Sequence, residues 1–460
     1  MFAPLRLAAA EPLSPGATTL AAYLRLDTSN PPGNERAGAE LLAQELRAAG
    51  VEPRILLSPG GRANLFAQLP ATVATPGAPA GAIVLLHHID TVAAGDGWQH
   101  PPFAGEVHGG ELWGRGAIDA KGLGVAHLMA FLELARSPLP RHRAVIFLAA
   151  ADEEAGGGEG ISWLLRAHPE LFTQIAAVLN EGGVNKAVAG RALYWGVEVD
   201  QKRPLWLSVR AAGRGGHASA ANPQSATHRL VDGLARLIAA PRPWRVTPAA
   251  EAFLVGLAGF DPQARKALAE ARARAARASK APGGVSSAGD GGRALAGFES
   301  LLTDTLQVTT LAGSRQINVV AGEARAGVDI RLLPDSDESL FVAETLRQLG
   351  PGLEVEVLLS APAAAPSPSS GALYRTLAGA LAGEGGAPVV PAFIPAFTDS
   401  RAFRARGIAA YGVSPFALDG LTLRTVHAPD ERLPLAVFDQ GVATMSRIVR
   451  ALATLPSTAP

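Results

Sequence analysis

Short apolar runs alternate with helical patterns along much of this chain of 460 residues, and that alternation is the strongest constraint on its fold. Residues 82–87, 144–151 and 175–179 are runs typical of buried strands, while residues 121–135 have the periodicity of a helix. Parallel strands need long crossover connections, which are usually helices. The alternation therefore predicts an α/β domain with a mostly parallel central sheet.

The pattern changes near residue 200, where polar and apolar residues begin to alternate as they do in half-buried strands. The predicted elements of this region are strands at 204–211, 305–311, 324–332 and 353–359 and helices at 223–240 and 336–349. They form a smaller α+β domain with a four-stranded sheet and two helices. It is interrupted at about 241–300 by a helical insertion, whose Gly-rich tip at 281–292 is predicted to be flexible.

After a Pro-rich linker at 360–371 the α/β alternation resumes. The smaller domain is therefore predicted to be inserted into the larger one. The predicted limits are 1–201 and 363–460 for the two parts of the larger domain, and 202–362 for the smaller domain.

Composition excludes several kinds of site and partner. The chain has 41 basic and 41 acidic residues, a balance that favours neither nucleic acid nor an anionic membrane. It has no cysteine, so disulfides, thiolate zinc sites and cysteine nucleophiles are excluded. The N-terminal apolar run is too short for a signal sequence, and no stretch of about 20 apolar residues is present. We expect a cytoplasmic protein.

Four polar segments attract attention because His and carboxylate residues follow predicted strands or open a helix. They are HHID at 87–90, GRGAID at 114–119, DEE at 152–154 and NEGG at 180–183. Ligands of open α/β sheets bind at the carboxyl ends of the strands, so the four segments are predicted to converge on one crevice. Imidazole and carboxylate groups suit Zn²⁺.

Taken singly, these residues have simpler interpretations. His88 could be a buried structural histidine, Asp119 a helix N-cap, and Glu153 and Glu154 a solvated acidic pair. Four such segments in order favour a metal site over all three.

Together with further motifs, these segments resemble the two-zinc aminoacylase/carboxypeptidase metallopeptidase family, which includes acetylornithine deacetylase, succinyl-diaminopimelate desuccinylase and glutamate carboxypeptidase. The further motifs are DTSNPPGNE at 27–35, GGHAS at 215–219, the segment 314–335 and TVHAPDE at 425–431. The glutamate of NEGG and the long insertion are most similar to the aminoacylase and carboxypeptidase S branch. In this family the smaller domain is a lid and dimerisation domain.

The resemblance implies two Zn²⁺ ions per subunit, for which Co²⁺ or Mn²⁺ can substitute. One ion would be held by His88, Asp119 and Glu181, and the other by Asp119, Glu154 and His427, with Asp119 bridging.

Two further residues are assigned catalytic roles. Asp90 is expected to accept the second ring N–H of His88 and so fix its tautomer. Glu153 precedes a ligand and is expected to act as general base and then general acid.

The resemblance also implies three substrate-binding residues in the smaller domain. His217 would donate to the oxyanion, Arg331 would pair with the substrate carboxylate, and Asn318 would fix the substrate backbone. Their simpler interpretations are a turn residue for His217 and a sheet-surface arginine for Arg331. In related dimers the equivalent histidine can come from the partner subunit.

The predicted activity is hydrolysis of the amide bond of N-acyl amino acids or small peptides with a free C-terminal carboxylate. The choice between aminoacylase and carboxypeptidase stays open at this point. The predicted partners are a small-molecule or peptide substrate and a second copy of the chain, with neither nucleic acid nor membrane. The alternative is a non-catalytic binding protein on the same scaffold, which the intact ligand set disfavours.

Overall fold

The structure is a computed structural model that describes residues 12–73, 81–278, 297–383 and 386–456. Two features considered in the sequence lie outside this part of the chain. They are the tip of the insertion at 281–292 and residues 1–11 of the N-terminal run.

The strands and helices follow one another in the order expected of an α/β chain with an inserted sheet. The strands are β1 (Arg54–Leu57), β2 (Ala63–Leu69), β3 (Ala82–His88), β4 (Glu106–His108), β5 (Glu111–Trp113), β6 (Val145–Ala150), β7 (Ile175–Asn180), β8 (Lys186–Val188), β9 (Arg191–Gln201), β10 (Arg203–Ala212), β11 (Gly216–His217), β12 (Thr305–Ala312), β13 (Val319–Val320), β14 (Glu323–Leu332), β15 (Leu353–Ser360), β16 (Val389–Ile394), β17 (Ala410–Gly412) and β18 (Arg432–Pro434). The helices are α1 (Pro15–Leu24), α2 (Glu35–Ala48), α3 (Lys121–Arg136), α4 (Ile161–Ala167), α5 (Ala226–Ala239), α6 (Pro248–Ala258), α7 (Pro262–Ala278), α8 (Glu338–Leu349), α9 (Gly371–Ala382), α10 (Ser400–Arg404), α11 (Gly420–Leu423) and α12 (Leu435–Ala453).

The chain forms two compact units. The first comprises Met1–Trp195, Ser370–Val389 and Val413–Pro460, and the second comprises Gly196–Ser369 and Val390–Gly412. The domain limits predicted from the sequence stay a prediction.

The first unit contains a sheet in which the strands follow the order β1-β2-β6-β3-β7. β3 runs parallel to both β6 and β7, whereas β2 is antiparallel to its neighbours β1 and β6. Every residue of β3 and β6 is buried. Strands covered on both faces have continuous apolar sequences, which is why these two were recognisable as uninterrupted runs.

The second unit contains an antiparallel sheet in the order β12-β14-β10-β15. Alternate residues of β10 and β14 are buried together with apolar residues of α5 and α8; these are Leu205, Leu207, Val209, Ala324, Ala326, Val328, Leu230, Leu234 and Leu349. The insertion begins with the helices α6 and α7, which pack against each other. The predicted fold class, a mixed α/β protein with a separate smaller sheet, is confirmed.

In the part of the chain that the structure describes, no helix is both long enough and apolar enough to cross a bilayer.

Candidate functional site

Three neighbouring strands of the first unit deliver polar residues to the same edge of the sheet. His88 is the last residue of β3, Glu153 and Glu154 follow β6, and Glu181 follows β7 directly. Because β6, β3 and β7 run parallel, their carboxyl ends meet at this edge. The loop before α3 brings Asp119, and the loop before β18 brings His427.

The five predicted ligands form two clusters that share Asp119. In the first, His88 Nε2 lies 3.0 Å from Asp119 Oδ1 and 3.6 Å from Glu181 Oε1. In the second, His427 Nε2 lies 3.0 Å from Asp119 Oδ2 and 3.3 Å from Glu154 Oε1. One carboxylate thus presents an oxygen to each histidine, which is the arrangement that a ligand bridging two cations requires.

The donor set fits divalent metal ions. In each cluster, one ligand atom from each of three residues lies within 4.8 Å of the other two, a spacing at which a single ion could contact all three. Burial raises the pKa of Glu181 to about 8, and the charge of Asp119 adds to that rise. Hydrogen bonds to Asp119 and Glu154 raise the pKa of His427 to about 10. Negative charge from neighbouring carboxylates contributes to both shifts, and a divalent cation at this place would favour the carboxylate and the neutral imidazole.

The exposure of the ligands differs between the two clusters. The side chain of His88 is 2% exposed, whereas that of His427 is 50% exposed. His427 also has a left-handed backbone, with φ of 59°, a conformation that a non-glycine residue keeps only where its surroundings hold it. The second cluster is therefore the one more open to solvent.

The tautomer of His88 is fixed by the backbone. Its Nδ1 lies 2.8 Å from the carbonyl oxygen of Asp90 and 3.7 Å from Oδ1 of the same residue. A carbonyl oxygen can only accept, so Nδ1 carries the hydrogen and Nε2 is left for a metal. The nearer acceptor is therefore the main-chain oxygen of Asp90, and the role expected of its carboxylate stays a prediction.

The Asp90 carboxylate accepts two backbone N–H groups from the turn that follows β6. Its Oδ1 accepts the backbone N–H of Glu153 at 3.1 Å, and its Oδ2 accepts that of Glu154 at 3.1 Å. Glu153 opens a short 3₁₀ helix, Glu153–Ala155, and is buried. The residue predicted as the general base and a predicted ligand are thus positioned by one carboxylate.

Glu431 is a functional candidate that the sequence interpretation missed. Its buried carboxylate accepts hydrogen bonds from Arg115 Nη1 at 2.8 Å and from the backbone N–H groups of Gly116, Ile118 and Asp119 at 2.9, 2.8 and 3.1 Å. Glu431 belongs to the same segment as His427 and so fastens the loop that carries the shared ligand Asp119. An acid four residues after the histidine was visible in the sequence, but its backbone partners lie more than 300 positions away.

The interpretation of Asp119 as a helix N-cap is wrong. α3 begins at Lys121, its N-cap is Ala120, and no side chain caps it. The Asp119 carboxylate faces His88 and His427 instead.

Two of the three predicted substrate-binding residues lie together in the second unit. His217 of β11 pairs with Val319 of β13, and the backbone N–H of Ala218 donates to the oxygen of Asn318 at 3.0 Å. His217 is exposed, and its Nδ1 accepts the backbone N–H of Ser219 at 3.2 Å. In the neutral ring, the hydrogen therefore resides on Nε2, which makes that atom a donor.

Arg331, the third predicted substrate-binding residue, lies on β14, and its guanidinium contacts two neighbouring side chains. Nε and Nη2 each donate to an oxygen of Asp329 at 2.7 Å. The Cζ atom lies 4.3 Å from the centre of the Phe397 ring. The guanidinium is therefore oriented before any ligand binds.

Comparison with known proteins places the chain among amide hydrolases. The model of peptidase family M20/M25/M40 matches residues 84–451. The chain is 26% identical to aminoacylase-1B of Rattus norvegicus over 452 residues, which cover 96% of each protein.

Two solved structures share the fold. An M20 family metallo-carboxypeptidase from Sulfolobus solfataricus superposes with a TM-score of 0.69 at 18% identity, covering 96% of this chain and 100% of the other. Human carnosine dipeptidase 1 gives a TM-score of 0.68 at 15% identity, with 96% and 97% covered. The predicted family and the predicted enzyme class, a metal-dependent amidohydrolase or peptidase, are confirmed. The chain belongs to peptidase family M20/M25/M40.

Proposed function

We propose that the protein is a two-zinc hydrolase that cleaves the amide bond of N-acyl amino acids or small peptides with a free C-terminal carboxylate. The observation that carries the proposal is the shared carboxylate of Asp119, which has a different oxygen 3.0 Å from each of two histidines. His88, Asp119 and Glu181 would hold one ion, and Asp119, Glu154 and His427 the other. Bound divalent ions would polarise the scissile carbonyl and lower the pKa of water.

The remaining chemistry is assigned to residues of the chain. Glu153 takes a proton from the attacking water and delivers it to the leaving nitrogen as the C–N bond breaks, so that a carboxylic acid and a free amine are released. Its place beside the ligand Glu154, with both backbone N–H groups held by Asp90, supports this assignment.

We assign three substrate contacts of the second unit by resemblance, with local geometry in support for two of them. His217 donates from Nε2 to the oxyanion, and the acceptor role of its Nδ1 toward Ser219 supports that tautomer. Arg331 binds the substrate carboxylate, and its fixed guanidinium plane supports a directional contact. Asn318 is assigned to the substrate backbone.

The test is hydrolysis by the zinc-reconstituted protein of a panel of N-acyl amino acids and dipeptides, each compared with its C-terminally amidated analogue. We expect free acids to be cleaved and amides to be cleaved at least tenfold more slowly. Equal rates on both would reject the free-carboxylate preference. Turnover that is unaffected by removal of metal would reject the zinc mechanism.

A further inference from the structure

The carboxamide of Asn30 lies between two buried carboxylates next to the candidate metal site. Its Nδ2 donates to Asp90 Oδ2 at 2.8 Å and to Asp152 Oδ1 at 3.1 Å. All three residues are buried. Asn30 belongs to the segment DTSNPPGNE, which was conspicuous in the sequence but received no role there.

Asp90 transmits the position of Asn30 to the two glutamates. Its Oδ2 is shared by Asn30 Nδ2 and the backbone N–H of Glu154, and its Oδ1 accepts the backbone N–H of Glu153. A rotation of this carboxylate would therefore displace the N-terminal end of the short helix that carries both glutamates.

Asp152, which directly precedes Glu153, connects the same turn to the residues that follow it. Its backbone is left-handed, with φ of 68°, and its Oδ2 accepts the backbone N–H of Glu159 at 3.0 Å. Its Oδ1 accepts from Arg62 Nη1 at 3.1 Å as well as from Asn30. Arg62 in turn donates from Nε to Glu35 Oε2 at 2.8 Å.

An amide suits this position better than any charged group. Its NH₂ has two hydrogens, one for each carboxylate, and it adds no charge between them. An aspartate of the same shape would remove both donors and place a third carboxylate among two others. The backbone of Asn30 is fixed independently, because its N–H donates to the oxygen of Thr91 at 2.8 Å.

The geometry points to Asn30 as a positioning residue that sets the direction of Glu153 and Glu154 through Asp90 and Asp152, without touching substrate. The inference rests on the proposed function for the role of Glu153, but the placement of Glu154 can be tested without turnover.

The experiment compares Asn30→Ala and the isosteric Asn30→Asp with a matched control, Asn34→Ala. Asn34 lies in the same segment, and its amide donates to the backbone oxygen of Asp27. For each full-length variant we would measure far-UV circular dichroism, the visible absorption during Co²⁺ titration, and kcat and KM on one N-acyl amino acid.

We expect both Asn30 variants to fold and to lower kcat about 10–100-fold, with KM within about threefold, because a displaced base weakens the chemical step more than binding. The shape of the Co²⁺ absorption spectrum should change, and whichever of the two sites binds Co²⁺ less tightly should lose affinity. Both effects should be larger in Asn30→Asp than in Asn30→Ala. The control should match the wild type in all three measurements.

Two results would overturn the inference. One is a Co²⁺ spectrum and a kcat within about twofold of the control. The other is loss of fold in both variants, which would assign Asn30 to stability alone. If the wild type hydrolyses no substrate of the panel, the proposed function fails, while the Co²⁺ titration still decides the role of Asn30.

Discussion

Replacement of Glu431 by glutamine should separate the fastening of the Asp119 loop from the metal ligands themselves. In the folded protein, Oε2 accepts from Arg115 Nη1 and the N–H of Gly116, and Oε1 accepts from the N–H groups of Ile118 and Asp119. Whichever oxygen is replaced by the NH₂ group of glutamine, the two hydrogen bonds that this oxygen accepted are lost. The new NH₂ group then faces two N–H donors.

The magnitude follows from two independent estimates. A hydrogen bond to a charged group contributes about 1.5–3 kcal/mol, so the loss of two destabilises by about 3–6 kcal/mol. Arg115 and Glu431 are each 1% exposed in their side chains, and breaking a buried ion pair costs about 3–5 kcal/mol. Both estimates agree on about 3–5 kcal/mol. The free energy of unfolding of a domain is usually about 5–15 kcal/mol, so this loss would remove much of it without exceeding it. Glu431→Gln should therefore fold but unfold at a lower urea concentration.

The assay is urea unfolding of the metal-free protein, followed by Co²⁺ titration of the folded variant. Because Asp119 belongs to both clusters, a loosened Asp119 loop should weaken both Co²⁺ sites. The matched control is Glu111→Gln, which breaks a pair with Arg432 whose side chains are 28% and 23% exposed and which should cost about 1 kcal/mol or less. If Glu431→Gln lies within 1 kcal/mol of that control and binds Co²⁺ like the wild type, the reasoning is wrong.

Four further outcomes are expected. Glu153→Gln should keep fold and metal content but lower kcat about 10²–10⁴-fold, and activity within a few-fold of wild type would reject it as the base. Dialysis against a chelator should abolish activity and Zn²⁺, Co²⁺ or Mn²⁺ should restore it, whereas active protein with background metal contents would contradict the metal mechanism. Arg331→Ala and Arg331→Lys should each raise KM about tenfold or more with a smaller change in kcat, and an unchanged ratio of activity on a free acid and its amide would exclude the carboxylate contact. Burial raises the pKa of Asp200 to about 6, above its unfolded value of about 3.9, so its stabilising contribution is complete below about pH 4 and is lost as pH rises through about 6. Between pH 4 and 7, the free energy of unfolding of Asp200→Asn in urea should therefore rise by up to about 3 kcal/mol relative to that of the wild type. Parallel plots of unfolding free energy against pH for the two proteins would refute the shift.

The elements that the sequence predicted best are those whose pattern is set by burial. β3 and β6 are buried along their whole length, so their sequences are continuous apolar runs that end where polar ligands begin. β10 and β14 have one buried face, so their sequences alternate, and both were predicted to within one residue of each end. Since the candidate ligands lie at or shortly after strand ends, the same patterns predicted where His88, Glu154 and Glu181 would meet.

Two of the strands that were not predicted lack a single pattern. β1 is partly exposed, and its four residues are too few to establish a period. β9 has partly or fully exposed side chains at its first three residues and buried ones from Tyr194 onward, so no single period extends over its eleven residues. Neither strand contributes a candidate ligand, which is why the site could be predicted without them.

The hydrogen-bond partners of the buried carboxylates could not be predicted from the sequence for a different reason. Asn30 and Asp90 are 60 positions apart, and Glu431 and Gly116 are 315 positions apart. Neither contact follows from a local period or a short motif. The main-chain acceptor of the His88 hydrogen was likewise not predicted, because the sequence does not show that the Asp90 carbonyl oxygen lies closer to Nδ1 than its carboxylate does.

The acids at this edge of the sheet have two distinct tasks, and the difference determines how their loss must be measured. Asp90, Asp152 and Glu431 accept backbone N–H groups, so the protein itself offsets part of the cost of burying them. Asp119 and Glu181 face a histidine and each other, and burial and the neighbouring charge raise the pKa of Glu181. A bound divalent cation would offset the charge of these two carboxylates, whereas those of the first group are engaged by backbone N–H groups. Loss of an acid of the first group should alter the geometry and affinity of the metal site while leaving its ligands chemically intact. Metal titration rather than turnover alone is consequently the measurement that distinguishes the two groups.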